Sequence, residues 1–284
     1  MLEVLQDTII DSLKLLPFLF IAYLIMEYIE HKISDKSKEK IQKSGKFGPF
    51  FGGLLGIFPQ CGFSVAATNL YAARIITLGT LISVYLSTSD EMLPILISEA
   101  APFSTIITVL VIKFLLGMAY GFLIDFIIHI KNKNKETENK IIDLCEEEHC
   151  NCEKSIVKSA LKHTISIFIY IFILTLVINI IVWAVGEEAI KDFMEGTGVL
   201  EPILASLIGL IPNCASSVII TELYLSEIIS FGSIIAGLLV NAGAGLLMLF
   251  RINKNIKENI GIIILLYCLG SITGIVLNLI GFKI

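Results

Sequence analysis

A break in an apolar run, Gly56-Ile-Phe-Pro-Gln-Cys-Gly-Phe-Ser64, returns later as Gly209-Leu-Ile-Pro-Asn-Cys-Ala-Ser-Ser217. The copies lie 153 residues apart, since 209 − 56 and 217 − 64 both give 153. The same offset pairs Val65 with Val218, Thr68 with Thr221, Tyr71 with Tyr224 and Gly79 with Gly232. Further on it pairs Gly117 with Gly270, Gly121 with Gly274 and Asp125 with Asn278. One ungapped offset holding over about 70 residues marks a duplicated unit, so any fold for this chain is built twice.

Hydropathy says what kind of unit it is. The chain is 55% hydrophobic with a mean hydropathy of +0.84, outside the range of a soluble domain. Several segments of about 20 nearly uninterrupted apolar residues have the length that crosses about 30 Å of hydrocarbon as a helix. The expected class is an all-α integral membrane protein. Spans are expected over 8–29, 75–97, 103–128, 161–185, 228–250 and 260–280, with 75–97 broken between Ser87 and Glu91 and at Pro94. The stretches 47–73 and 200–225 are too short for two crossings once Pro59 and Pro212 interrupt them. Each arm of about a dozen residues reaches roughly 18 Å, so each stretch is expected to enter part-way and return as a re-entrant hairpin. The domains are then a first membrane repeat (1–130), a polar linker (131–157) and a second membrane repeat (158–284), each repeat holding three spans and one hairpin. Tyr23, Tyr28 and Trp183, near span ends, fit aromatic anchoring at the interface.

Loop charge sets the orientation. Basic loops belong on the cytoplasmic side. With Lys32, Lys36, Lys38, Lys40, Lys43 and Lys46 inside, the chain also brings Arg74, the linker lysines 131, 133 and 135, and Arg251, Lys254 and Lys257 to that side. Glu187, Glu188 and Glu227 fall outside. Three crossings per repeat is an odd number, so the two units are expected to have inverted topology, with the N-terminus outside and the linker cytoplasmic, in the plasma (inner) membrane. The first residues lack a basic n-region and a small-residue cleavage site, so a cleaved signal peptide is not expected.

The two breaks carry the chemistry. A proline frees a carbonyl within the membrane, and irregular backbone at that depth is tolerated where it lines a cavity or meets protein. The helix restarting after each break favours a negative group at its N-terminus. On the returning helices Cys61, Ser64 and Thr68 share one face, and Cys214, Ser217 and Thr221 repeat that stripe. Gln60 and Asn213 sit at the turns, and Asn69 and Glu222 follow the stripes. Asp90 and Glu91 lie within an expected span, where ionisable residues are costly and point to function; a place at the outer interface, where a carboxylate costs little, stays open. With Glu222 they are candidates for cation coordination or for carrying a coupling proton. Lys113 is a basic residue near the middle of a span; its pairing with a carboxylate and its snorkelling to the interface both stay open. In the linker, Cys145, His149, Cys150 and Cys152 suit a soft or borderline ion such as Zn²⁺, although their spacing matches no standard zinc module.

Other classes drop out. Six cysteines scattered between hairpins, span and linker do not form a disulfide framework. No nucleotide-binding loop, hydrolase motif or nucleophile–base pairing is visible, so an ATP-driven pump, an enzyme and a nucleic-acid binder are not expected. The net charge of −5 decides nothing. The expected partners are the lipid bilayer and a small inorganic ion; no cofactor is expected beyond a bound metal ion and a coupling proton or sodium.

At Pro59-Gln-Cys-Gly-Phe-Ser64, Ser87-Thr-Ser-Asp-Glu-Met-Leu-Pro94 and Pro212-Asn-Cys-Ala-Ser-Ser217 the chain resembles a family of predicted ten-transmembrane heavy-metal exporters, of arsenic-efflux and manganese-transporter type. Its ten segments equal six crossings plus two hairpins of two arms each. The chain is also distantly similar to organoarsenical permeases, which carry a Pro-x-Cys-x-Cys tip; here Phe63 and Ser216 stand where the second cysteine would be. The resemblance implies export of a metal or metalloid ion by alternating access, with Cys61 and Cys214 as one thiol from each half. Two alternatives stay open: an anion or organic-acid carrier using the paired helix N-termini, and a membrane sensor whose linker binds metal.

Overall fold

The computed structural model describes residues 44–58, 61–89, 91–132, 156–186 and 198–281, with Met194 and positions between 5 and 24 that include Thr8, Leu19 and Tyr23. The regular elements among these residues are all helical. The first half contains α1 (Gly48–Gly56), α2 (Gly62–Ala72), α3 (Leu78–Ser87), α4 (Met92–Ser98) and α5 (Phe103–Asn132). After α6 (Ile156–Val185) come α7 (Glu201–Gly209), α8 (Cys214–Leu225), α9 (Phe231–Val240), α10 (Ala244–Ile252) and α11 (Ile256–Ile280). The starts of α1 and α7, α3 and α9, and α5 and α11 are each 153 residues apart (201 − 48, 231 − 78, 256 − 103).

Packing repeats with the same offset. Helix α3 lies between α1 and α5, and α9 between α7 and α11. Glycines let these backbones touch, as in helix packing inside membranes. A Cβ on Gly79 would sit 2.1 Å from the Gly121 carbonyl oxygen, and one on Gly232 would sit 2.4 Å from that of Gly274. The N-terminus of each central helix is closed in the same way. Asp125 Oδ1 accepts from the Gly79 amide at 2.9 Å, and Asn278 Oδ1 accepts from the Gly232 amide at 3.0 Å. Thr77 and Ser230 donate to the same two side chains. The halves then exchange elements: α2 packs on α10 and α8 on α4, with α3 and α9 meeting at the centre. Every residue of α9 is buried.

Outside this centre the surface is oily. Phe103–Lys131, Ala160–Ile181, Phe231–Ile252 and Ile256–Ile280 are long and apolar enough to cross a membrane. Phe103 and Leu279, at 76% and 78% exposure, show how apolar the outward faces are. Lipid tails are the environment in which such faces are at rest. The protein is a multi-pass membrane protein.

Three expectations need adjusting. The stretch 228–250, expected as one unbroken span, stops at Val240 and restarts at Ala244. There Asn241 Oδ1 accepts from the Gly243 amide at 3.0 Å, and Gly243 adopts φ 53°, which a glycine reaches without strain. The spans expected over 103–128 and 161–185 run longer, to Asn132 and from Ile156. Tyr23 is not an interfacial anchor: it is buried, and its hydroxyl donates to Asn69 Oδ1 at 3.2 Å. Trp183 is exposed; Tyr28 lies outside the described residues.

The caps give a prediction that carries its own control. Asp125→Asn copies the second half and should leave stability within about 0.5 kcal/mol. Asp125→Leu strands the Gly79 amide, which should destabilise the protein by about 1–3 kcal/mol, while the Thr77 hydroxyl keeps its contact with Thr80. Thermal unfolding of the two variants in one detergent compares them directly.

Candidate functional site

Two helices begin side by side, one from each half. Cys61 immediately precedes α2, and Cys214 is the first residue of α8. Their sulfurs are 3.1 Å apart. Cys61 is buried and Cys214 half-buried. Asn213 positions the second thiol: its Oδ1 accepts from the Ser216 amide at 3.2 Å and caps α8. Its Nδ2 donates to Asn179 Oδ1 at 2.9 Å, and Asn179 Nδ2 donates to Thr8 Oγ1 at 2.9 Å. Each helix dipole favours negative charge at its start, where the sulfurs lie.

The hydroxyl stripes turn back on their own helices. Ser64 donates to the Cys61 carbonyl at 2.7 Å and Ser217 to the Cys214 carbonyl at 2.8 Å. Thr68 donates to the Ser64 carbonyl and Thr221 to the Ser217 carbonyl, both at 2.7 Å. Thr68 also lies 2.6 Å from the Tyr85 hydroxyl, which donates to the Gly245 carbonyl at 3.2 Å. This knot ties α2, α3 and α10 together beside the thiols. Asn69 is held by Tyr23 and donates to the Val65 carbonyl at 3.2 Å.

The acidic candidates sit apart from one another in the chain. Glu91 precedes α4 and Glu222 lies on α8; both are half-buried, on two helices that pack together. Gln60, Asp90 and the linker residues Cys145, His149, Cys150 and Cys152 lie outside the described residues. Among the described residues, no three His, Cys, Asp or Glu side chains converge as a metal-binding group. A pair of thiols such as Cys61 and Cys214 suits thiophilic ions better than hard cations.

Sequence reasoning missed several residues around this centre. Tyr85 and Gly245 complete the Thr68 knot, and Asn241 with Gly243 breaks the second span; an Asn-x-Gly signal marks that turn. For Lys113, which the sequence does single out, what was missed is its partners: only 1% exposed, it points inward and donates to the carbonyls of Thr88 and Leu238. At one end of the molecule Arg74 grips Glu258 with two bonds, 2.7 and 2.9 Å, and Tyr71 donates to the same carboxylate. Those bonds raise the Arg74 pKa above its ordinary value. They strap the end of α2 to the start of α11, one half to the other.

No curated protein and no solved structure gives a significant match to the chain. A family match covers residues 1–187 and again 165–283, overlapping regions that together take in nearly the whole length. The long apolar helices and this match agree: the chain belongs to the membrane-transporter family described as "Putative, 10TM heavy-metal exporter".

Proposed function

We propose that this protein is a secondary transporter that exports a metal or metalloid ion from the cytoplasm by alternating access. The observation that carries the reading is the 3.1 Å contact between Cys61 and Cys214, equivalent residues of the two halves. Two thiols brought from separate helices make a site that exists only while the halves are together. A thiophilic ion such as arsenite or a soft metal fits this pair better than Mn²⁺, which prefers carboxylate and carbonyl oxygen. Ser64, Thr68, Ser217 and Thr221 flank the ion, with Gln60, Asn69 and Asn213 around it. Asp90, Glu91 and Glu222 neutralise charge or carry a coupling proton or sodium.

The architecture behind this reading is two units of inverted topology, each with a re-entrant hairpin, α1–α2 and α7–α8. The reciprocal packing of α2 on α10 and α8 on α4 supports it, since a two-fold relation requires such an exchange. Hairpin arms of 9 to 12 residues support it too, being too short to cross about 30 Å. The basic loops support an orientation with the N-terminus outside and the linker in the cytoplasm, and we assign the protein to the plasma membrane. A second reading, an anion carrier, draws on the neighbouring N-termini of α2 and α8.

The test is flux into and out of vesicles holding the purified protein, with arsenite, Mn²⁺, Zn²⁺ and a carboxylate offered in turn. Arsenite or a soft metal is expected to move faster than through empty vesicles, and the carboxylate is not. Flux of none of them would defeat the proposal.

A further inference from the structure

Lys113 sits ten residues into α5, about 15 Å along the helix. Its Nζ donates to the Thr88 carbonyl and, at 2.7 Å, to the Leu238 carbonyl. These oxygens belong to the two interrupted helices, one from each half, at the points where they stop. Thr88 is the residue at which α3 ends, and Leu238 lies in the last turn of α9. A helix that stops leaves its final carbonyls without amide partners and presents the negative end of its dipole. At α9 the Asn241 amide still reaches back to the Gly237 carbonyl at 3.2 Å. Leu238 carries the next carbonyl along, past the point where the helix turns away. An ammonium group at this depth is costly unless such oxygens receive it. The offset of 153 places the buried, apolar Leu266 opposite Lys113, so a single charge serves both helix ends.

We infer that the meeting point of α3 and α9 is a monovalent-cation site walled by the Thr88 and Leu238 carbonyls, and that the Lys113 ammonium is its tethered cation. Carbonyls at the ends of interrupted membrane helices are ligands of the kind that hold small cations such as sodium. An ammonium ion carries the same charge and donates to the same oxygens. With lysine at position 113, the two broken helices are held against α5 without a free ion. The inference does not rest on the transport reading, because its test reads stability and needs no flux.

The experiment is thermal unfolding of the full-length protein in detergent, in the chlorides of ammonium, methylammonium, sodium or choline at equal concentration. Lys113→Ala opens room for a small cation. Its Tm should fall below that of the wild type and recover by about 2–4 °C more in ammonium or methylammonium than in choline. Lys113→Met fills the space without charge and should be destabilised equally in every salt, while the wild type is indifferent. A Lys113→Ala protein recovered folded only when ammonium is present during extraction would also support the inference. Three results would overturn it: Lys113→Met as stable as the wild type, Lys113→Ala gaining no more from ammonium than from choline, or Lys113→Ala unrecoverable in every salt.

Discussion

Oxidising Cys61 and Cys214 to a disulfide is expected to bring ion flux down to the level of empty vesicles, and a thiol reductant to restore it. The sulfurs are 3.1 Å apart, so bonding at about 2.0 Å needs only a small approach. Each sulfur stands at the first turn of a helix from a different half. Alternating access requires the two tips to part, and a covalent link forbids it. The clean experiment replaces Cys145, Cys150, Cys152 and Cys268 by serine and applies a dithiol oxidant such as diamide to the protein in vesicles. Two thiols then give up two protons and two electrons to the diamide, and mass spectrometry of the linked peptides reports the bond. The Cys61→Ser, Cys214→Ser double variant should ignore the oxidant. It should also fail to carry a thiophilic ion, whereas an anion carrier would largely survive the change. A verified 61–214 disulfide that leaves flux untouched would show that the tips do not separate during transport.

Much of the frame was legible in the sequence because duplication is a strong signal. The offset that pairs Gly79 with Gly232 also pairs the helix starts, since the same small residue is needed wherever the same two backbones touch. Apolar runs of span length and two prolines announced the long helices and the interruptions between α1 and α2 and between α7 and α8. The break at 241–243 was hidden because its neighbours are uniformly apolar and no proline marks it. Its first-half counterpart, Ser87 to Glu91, is polar, so the two do not look alike in sequence, and only an Asn-x-Gly turn hints at the shape of the second. The site was legible in part. Spacing places Ser64 and Thr68 on the face of Cys61, yet it cannot tell whether a hydroxyl faces a ligand or its own helix. Here both hydroxyls donate to carbonyls three or four residues back. The contacts of Tyr23 and Lys113 escaped for a related reason. Their partners, Asn69, Thr88 and Leu238, are 25 to 125 residues away, and no local pattern announces contacts of that kind.

The same glycine-to-alanine change should have opposite effects at two positions, with the larger effect at Gly209. That residue closes α7 just before the Pro212 break, against Gly237 at the start of the last turn of α9. A Cβ there would lie 2.1 Å from the Gly237 carbonyl oxygen and 2.9 Å from its carbon, both backbone atoms with no rotamer to yield. Helix α7 would have to back away from α9. Its own chain continuation carries Asn213 and Cys214, so the tip moves with it. Gly209→Ala should therefore cost about 3 kcal/mol, at the upper end for an overpacked core, and should also weaken 61–214 disulfide formation. Gly261 lies on the exposed face of α11 with nothing within 4 Å of an added Cβ. There the methyl group removes backbone freedom from the unfolded chain and meets no obstacle, so Gly261→Ala should gain up to about 1 kcal/mol. Thermal unfolding of both variants beside the wild type reads the two signs. A Gly209→Ala protein as stable as the wild type would mean that α7 and α9 do not touch at this glycine, and that the central tip is held by something else.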